Sequence, residues 1–234
     1  LQNGLTQTHQ NNMGAFGGPD IITDGLVFAV DAGSGRSYPG SGTTVTDLVG
    51  TNNGTLTNGV GYSSANGGSF TFDGTDDVIV TPGTAATNIS TTLTAEAWVY
   101  YESGNGRIFQ KDGAGYTRCW EMGGHSGIFR IEMWHSNGGT TGGVSAPIAL
   151  PLTTWAYLTM TFDGTNIKMY QNAALVKTIN FPGDIRTDIN TPLTIGGFWS
   201  SGEFFDGNIG PVRLYNQALT AAEVLQNYNA QKNR

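Results

Sequence analysis

WAYLTMTFDGTNIKMYQNAALVKTIN, residues 155–180, decides the fold of this chain. In its first arm Leu158, Met160 and Phe162 alternate with Thr159 and Thr161, the period of a strand with one apolar face. Asp163-Gly164 follows, a two-residue hairpin signal, because a type I′ turn needs positive φ at both central positions. A second arm, NIKMYQN, then runs back at matched length, the pattern of an antiparallel sheet. The five residues TFDGT stand at 71–75 as well as at 161–165, and a near copy, FFDGN, at 204–208. SFTF-DG-TDDVIV therefore reads as a second hairpin. A catalytic or metal-binding role for Asp73 and Asp163 would need a polar partner at fixed spacing, and none recurs. The repeat reads as turn architecture.

Outward from this hairpin, short strand patterns fill the chain from Phe70 onward, including DVIVT, LTAEAWVYY, GRIFQKD, IFRIEMWH and NIGPVRLYN. One helix closes it. LTAAEVLQNYNAQ places Thr220 at the N-cap with Glu223 three residues on, a capping box. Residues 1–20 are polar and Gly-rich and read as an extended N-terminal arm or linker. A single domain is expected over 21–234, opening at IITDGLVFAVDAG.

The composition narrows the function classes. With 234 residues the chain buries roughly 70–75% of its unfolded surface and needs no staple to fold. Cys119 stands alone, so no disulfide within the chain is available. That fits a protein made inside a cell, or a bacterial or viral one, better than an animal secreted domain. The net charge is −7 and the basic residues are scattered, so the footprint of a phosphate backbone is missing and nucleic acid is excluded as a partner. No apolar run approaches the roughly 20 residues of a membrane span, and the N-terminus lacks the basic-then-apolar pattern of a signal peptide. The start at Leu1 rather than Met reads as a processed end or a boundary within a longer product.

Five stretches in order, DLVGTNNGTLTNGV, GGSFTFDGTDDVIV, LTAEAWVY, WAYLTMTFDGTNIKMYQNAALV and DGNIGPVRLYNQALTAAEVLQNY, resemble the concanavalin A-like jelly-roll superfamily in its laminin G-like branch. The resemblance spans about Asp20 to Tyr228. It implies an all-β, two-sheet antiparallel jelly-roll sandwich, with a concave and a convex face and one short C-terminal helix. GPDIITDGLVFAVDAGSGRSYPGSGTTVTDL further resembles laminin G-like domains in structural proteins of tailed bacteriophages. Val49-Gly50-Thr51-Asn52-Asn53 differs from the Ser-Gly-Asn-Gly-Asn run common in such relatives.

The same superfamily contains glucanases, whose chemistry needs two carboxyls about 5–9.5 Å apart across the scissile bond. Alternate residues share a strand face, yet none of Glu96, Glu121 and Glu132 has an acid two residues away. His9, His125 and His135 sit in no nucleophile-elbow context, and Cys119, His125 and His135 match no zinc spacing. The chain is read as non-enzymatic. Resemblance to pentraxins and laminin G domains implies a calcium-dependent rim, here the loop after RIFQ with Lys111 and Asp112 and the loop at Phe198 to Phe204. Calcium takes about six to eight oxygens, and Asp112 and Glu203 are the acids of these loops. Asp31 and Asp47 bracket a second candidate cluster. A sugar platform would draw on Tyr116, Trp120 and Trp199 beside Lys111, since Trp and Tyr join an apolar face to a polar tip. Trp98 and Trp155 read as core, Trp134 as either. The apolar loop FWSSGEFF must be covered by something, a glycan or a neighbouring subunit.

Two settings follow. One is a virion structural or decoration protein of a tailed phage, on the virion surface, contacting other virion proteins and host-surface glycans. The other is a carbohydrate-binding module or adhesin domain on a bacterial extracellular surface. A glycoside hydrolase is the third and weakest reading.

Overall fold

The computed structural model describes residues 19–113, 118–141, 144–198 and 203–233. The expected arm at 1–20 lies almost wholly outside them. Sixteen strands are found among the described residues. The first eight are β1 Leu26–Val30, β2 Thr44–Val45, β3 Gly54–Thr57, β4 Gly61–Ser63, β5 Ser69–Asp73, β6 Val78–Thr81, β7 Leu93–Tyr101 and β8 Gly106–Lys111. The rest are β9 Trp120–His125, β10 Ile128–Met133, β11 Val144–Ala149, β12 Trp155–Phe162, β13 Asn166–Gln171, β14 Ala174–Asn180, β15 Leu193–Ile195 and β16 Asp206–Tyr215. Helix α1, Ala221–Gln231, follows.

The strands form two antiparallel sheets of eight, the all-β sandwich that the sequence implies. The first runs β14-β13-β12-β7-β16-β5-β4, with β1 also paired to β16, and the second runs β11-β10-β9-β8-β15-β6-β3-β2. Alternation places Leu93, Ala95, Ala97 and Val99 of β7 in one core with Phe109, Met122 and Ile131 of the second sheet. Each fully buried Leu or Phe there contributes about 1.5–3 kcal/mol.

The three Asp-Gly copies divide. β12 and β13 form the expected hairpin, with Phe162 opposite Ile167. The closing pair is Asp163–Asn166, so the two-residue loop is Gly164-Thr165, and only Gly164 has positive φ, +87°. The turn is thus not type I′. The Asp163 carboxylate accepts from Thr165 N and Asn166 N at 3.0 and 2.7 Å. At the first copy Asp73 accepts from Thr75 N at 2.8 Å, the same local turn chemistry. The second expected hairpin is corrected, however, because β5 belongs to the first sheet and β6 to the second. Here the turn carries the chain across the sandwich. The third copy runs into the start of β16, with Asp206 opposite Asp73.

Outer-face residues of β7, β12 and β16 are covered by α1. Thr220 caps the helix in the expected box: Glu223 N donates to its hydroxyl, and Thr220 N donates to the Glu223 carboxylate. Beneath the helix Glu96 is wholly buried and accepts from Arg213 Nη1 at 2.8 Å, from Asn227 Nδ2 at 3.0 Å and from Tyr157 Oη. Arg213 Nη1 also donates to Gln231 Oε1 of the helix at 3.1 Å. Removing one member of such a pair leaves the other charge buried and unmatched. Glu96→Ala is expected to lower the free energy of unfolding in urea by about 3–5 kcal/mol, and Glu96→Leu with Arg213→Met by much less. Equal losses from the single and double variants would show that the unmatched charge is not the cause.

Candidate functional site

β8, β9 and β10 turn one set of side chains into the core and the other outward. Inward go Phe109, Met122, Ile131 and Met133. Outward go Arg107, Gln110, Glu121, Arg130 and Glu132, with Gln110 opposite Glu121 and Glu121 opposite Glu132. This outer face is polar, yet Gln110 and Glu121 are buried, with Gly197 and Phe198 against the Gln110–Arg107 side of it. Gln110 Nε2 donates to Gly197 O at 3.2 Å and to Thr194 Oγ1 at 3.0 Å. Phe205 is held between Phe72 and Tyr101, with ring centroids 5.8 and 4.4 Å away. Phe198 lies under Arg107, 5.7 Å from the guanidinium carbon to the ring centroid. Phe198 and Phe205 of this loop are thus covered from within the chain, while Phe204 is half-buried.

Arg107 organises the site. It pairs with Glu121, donates from Nε to Glu203 at 2.8 Å and from Nη2 to the same oxygen, and donates from Nη1 to Gln110 Oε1 at 3.1 Å. Its Nη1 stands 3.8 Å from Asp112 Oδ2. Partial burial disfavours the Glu203 charge, but the hydrogen bond and charge of Arg107 outweigh it and hold the carboxyl below its usual range. Beside this cluster opens a cleft of about 230 Å³, walled by Arg107, Glu121, His125, Arg130 and Glu203, with Asn105 at its edge. Arg130 is half-buried and pairs with Glu132 at 3.4 Å, and His125 is exposed. A glycine on the cleft wall lets the backbone at Phe204 approach closely. Gly106 has φ +111°, and a Cβ there would stand 2.4 Å from Phe204 O.

The residues expected from sequence sit differently. Tyr116 and Trp199 lie outside the described residues. Trp120 is not a rim aromatic: it is fully buried in the core against Phe109, ring centroids 5.1 Å apart. Lys111 is buried too, its Nζ donating to Thr191 O at 2.6 Å, and desolvation lowers its pKa against the pull of Cys119 and Asp188. Both point into the sandwich because β8 and β9 bring Lys111 and Trp120 into register on the core face. Asp112 and Glu203 both turn to Arg107. Each thus has a guanidinium within 4 Å.

Asp47, 4% exposed, accepts from Ala29 N and Val49 N at 3.1 Å and from Asn52 N at 3.2 Å, while Asp31 accepts from Gly33 N at 2.8 Å. These acids shape their loops. Cys119 is buried, which pushes its thiol up to about 11, and His135 stacks on Phe181 at 3.5 Å. Among the described residues the group of acids whose oxygens converge, within 4.8 Å of one another, is Asp73, Asp76 and Asp77. Asp77 there accepts from Asp73 N at 3.0 Å. No described helix is long and apolar enough to cross a membrane.

A sequence profile of the laminin G-like branch of the concanavalin A-like lectin/glucanases superfamily matches residues 72–225. No curated protein matches. Among solved structures, domain 4 of AbnA, a GH43 extracellular arabinanase from Geobacillus stearothermophilus, in complex with arabinotriose, is similar with TM-score 0.66 and 18% identity over 87% of this chain and 98% of that one. The ligand-binding domain of botulinum neurotoxin serotype D, in complex with N-acetylneuraminic acid, gives 0.71 and 12% over 90% of this chain and 52% of that one. The binding domain of Paraclostridial mosquitocidal protein 1 gives 0.69 and 14%, over 88% and 52%. This chain thus spans about half the length of the toxin domains, and at these identities the likeness is one of fold.

Asp112 has no exposure, and burial pushes its carboxyl up to about 6 against the pull of Arg118, Arg107 and the Gly113 amide. An unfolded aspartate releases its proton near 3.8. Between these values the folded state binds more protons than the unfolded one, so stability falls as pH rises through about 6. Asp112→Asn is expected to remove that decline, on the order of 3 kcal/mol above pH 7. Urea midpoints measured against pH would sink this if wild type and variant kept the same slope.

Proposed function

The chain belongs to the concanavalin A-like lectin/glucanases superfamily, and on that footing we propose that it is a non-enzymatic, lectin-like glycan-binding domain. Its ligand sits in the cleft beside Arg107. The observation that carries the reading is the division of labour there. Arg107 is consumed by Glu121 and Glu203, while Arg130, His125 and Asn105 line the same cleft, the last two exposed, with polar groups to offer. A sugar presents hydroxyls around an apolar ring, and a few convergent polar groups on a rigid sheet suit its recognition. The two similar sandwiches that hold N-acetylneuraminic acid and arabinotriose support the ligand class.

The non-enzymatic reading is supported by the pairing of Glu121. A carboxylate neutralised by a buried guanidinium is poorly disposed to act as acid or nucleophile, which leaves Glu132 without the second carboxyl that hydrolysis needs. The setting we infer is the surface of a tailed-phage particle, among other virion proteins, facing host glycans. The resemblance carried by DAGSGRSYPGSGTT supports it. A bacterial surface module remains the alternative, and electron microscopy of the assembled particle separates the two.

Glycan-array binding followed by calorimetry tests the ligand. A specific hit is expected that survives chelation and weakens at least about tenfold, roughly 1.4 kcal/mol, in Arg130→Ala. No hit, or a hit indifferent to that substitution, would overturn the cleft assignment. A hit abolished by chelator would restore calcium to the site.

A further inference from the structure

The outer face of the first sheet carries a row of aromatics: Trp98 and Tyr100 on β7, Trp155 and Tyr157 on β12, Tyr170 on β13 and Tyr215 on β16. Helix α1 covers only part of the row. Tyr228 stacks on Trp98 at 5.6 Å and 14°, and Tyr157 and Tyr215 are fully buried near it. Past the helix the row continues. Trp155 and Tyr100 are direct register partners with ring centroids 5.8 Å apart, and both are only half-buried. Between them and the helix lies a slot of about 90 Å³, formed by Trp98, Trp155 and the Gly210-Pro211 backbone. Asn66, Gln231 and Lys232 border it.

We propose that this slot is a second carbohydrate subsite, which takes one edge of a neutral sugar ring with the ring face laid on Trp155. Three observations select that ligand. The lining holds no carboxylate, and its one cation, Lys232, is exposed and already sits 5.8 Å over the Tyr228 ring. The border carries the amides of Asn66 and Gln231, which suit hydroxyls; a proline ring, the other natural occupant of an aromatic slot, has none to present. The Trp98 Nε1–H is buried and finds no acceptor among the described residues. A buried donor left unpaired is unfavourable, and a hydroxyl oxygen entering the slot supplies the partner. Gly210 keeps the space free: a Cβ there would stand 3.3 Å from Trp98 Cβ and 3.7 Å from Trp155 Cζ3. This subsite lies on the opposite outer face from the Arg107 cleft, so the two stand or fall separately.

The test titrates ¹⁵N-labelled protein with neutral gluco-, xylo-, manno- and galacto-tetrasaccharides and follows the indole N–H signals of its 5 tryptophans. At least one sugar is expected to move the Trp98 and Trp155 signals at millimolar concentration. Gly210→Ala, which fills the slot and keeps both indoles, is expected to weaken that binding about tenfold, as is Trp155→Ala, while Arg130→Ala leaves it unchanged. No movement of these two signals in wild-type protein with any sugar overturns the proposal. So does a response to a proline-rich peptide alone, or binding lost in Arg130→Ala but kept in Gly210→Ala.

Discussion

A carboxylate sealed from water must find a cation, and in this protein that necessity ties the first sheet together. Glu96 and Arg213 stand directly opposite each other on β7 and β16. Their pairing fixes the register of the two central strands, since a slip of one residue would turn either charge into the apolar core. It also fixes the helix, because Asn227 and Gln231 complete the hydrogen bonds that neither charge can satisfy alone. The outer face of the first sheet is thereby mostly closed.

The second sheet solves the same problem with a different outcome. Arg107 gathers Glu121, Glu203 and the flank of Asp112, but helix α1 lies on the other sheet, and a cleft remains beside the arginine. One buried arginine thus anchors the outer face of each sheet, and the helix covers more of the first than the second has covered. The carboxylates Glu121 and Glu203 on this second face are spent on pairing with Arg107.

Strand alternation, the capping box at Thr220–Glu223 and the β12–β13 hairpin were legible in the sequence because each is a local matter of period and turn chemistry. Asp73-Gly74 looked identical to Asp163-Gly164, and locally it is, since both aspartates accept from the amide two residues on. What differs is where the strand beyond the turn finds its partner, and five identical residues cannot encode that. The site was harder still. Trp120 reads as an aromatic near a loop, and only the register of β8 with β9 shows it facing the core. Arg107 carried no motif. Its signal was a charged residue at the head of a short strand, RIFQ, with Glu121 and Glu203 following at a distance. The half-open aromatic row was missed because Trp98 and Trp155 satisfy every criterion of core residues, and the helix stops short of covering both.

Strand β16 occupies the middle of the first sheet, bonded to β7, β5 and β1, yet it comes last of all the strands in the chain. Until residues 206–215 arrive, β7 and β5 each present an unpaired edge, and Glu96 has no counter-charge. A chain emerging from the ribosome can form the β12–β13–β14 meander early, but the sheet cannot zip shut until nearly all of this sequence is available. Long-range closure of that kind is slow, and open edges invite association with other chains. The last strand therefore acts as the keystone of assembly in time as well as in space, and truncation just before it would leave a sticky, half-built sandwich rather than a smaller stable one.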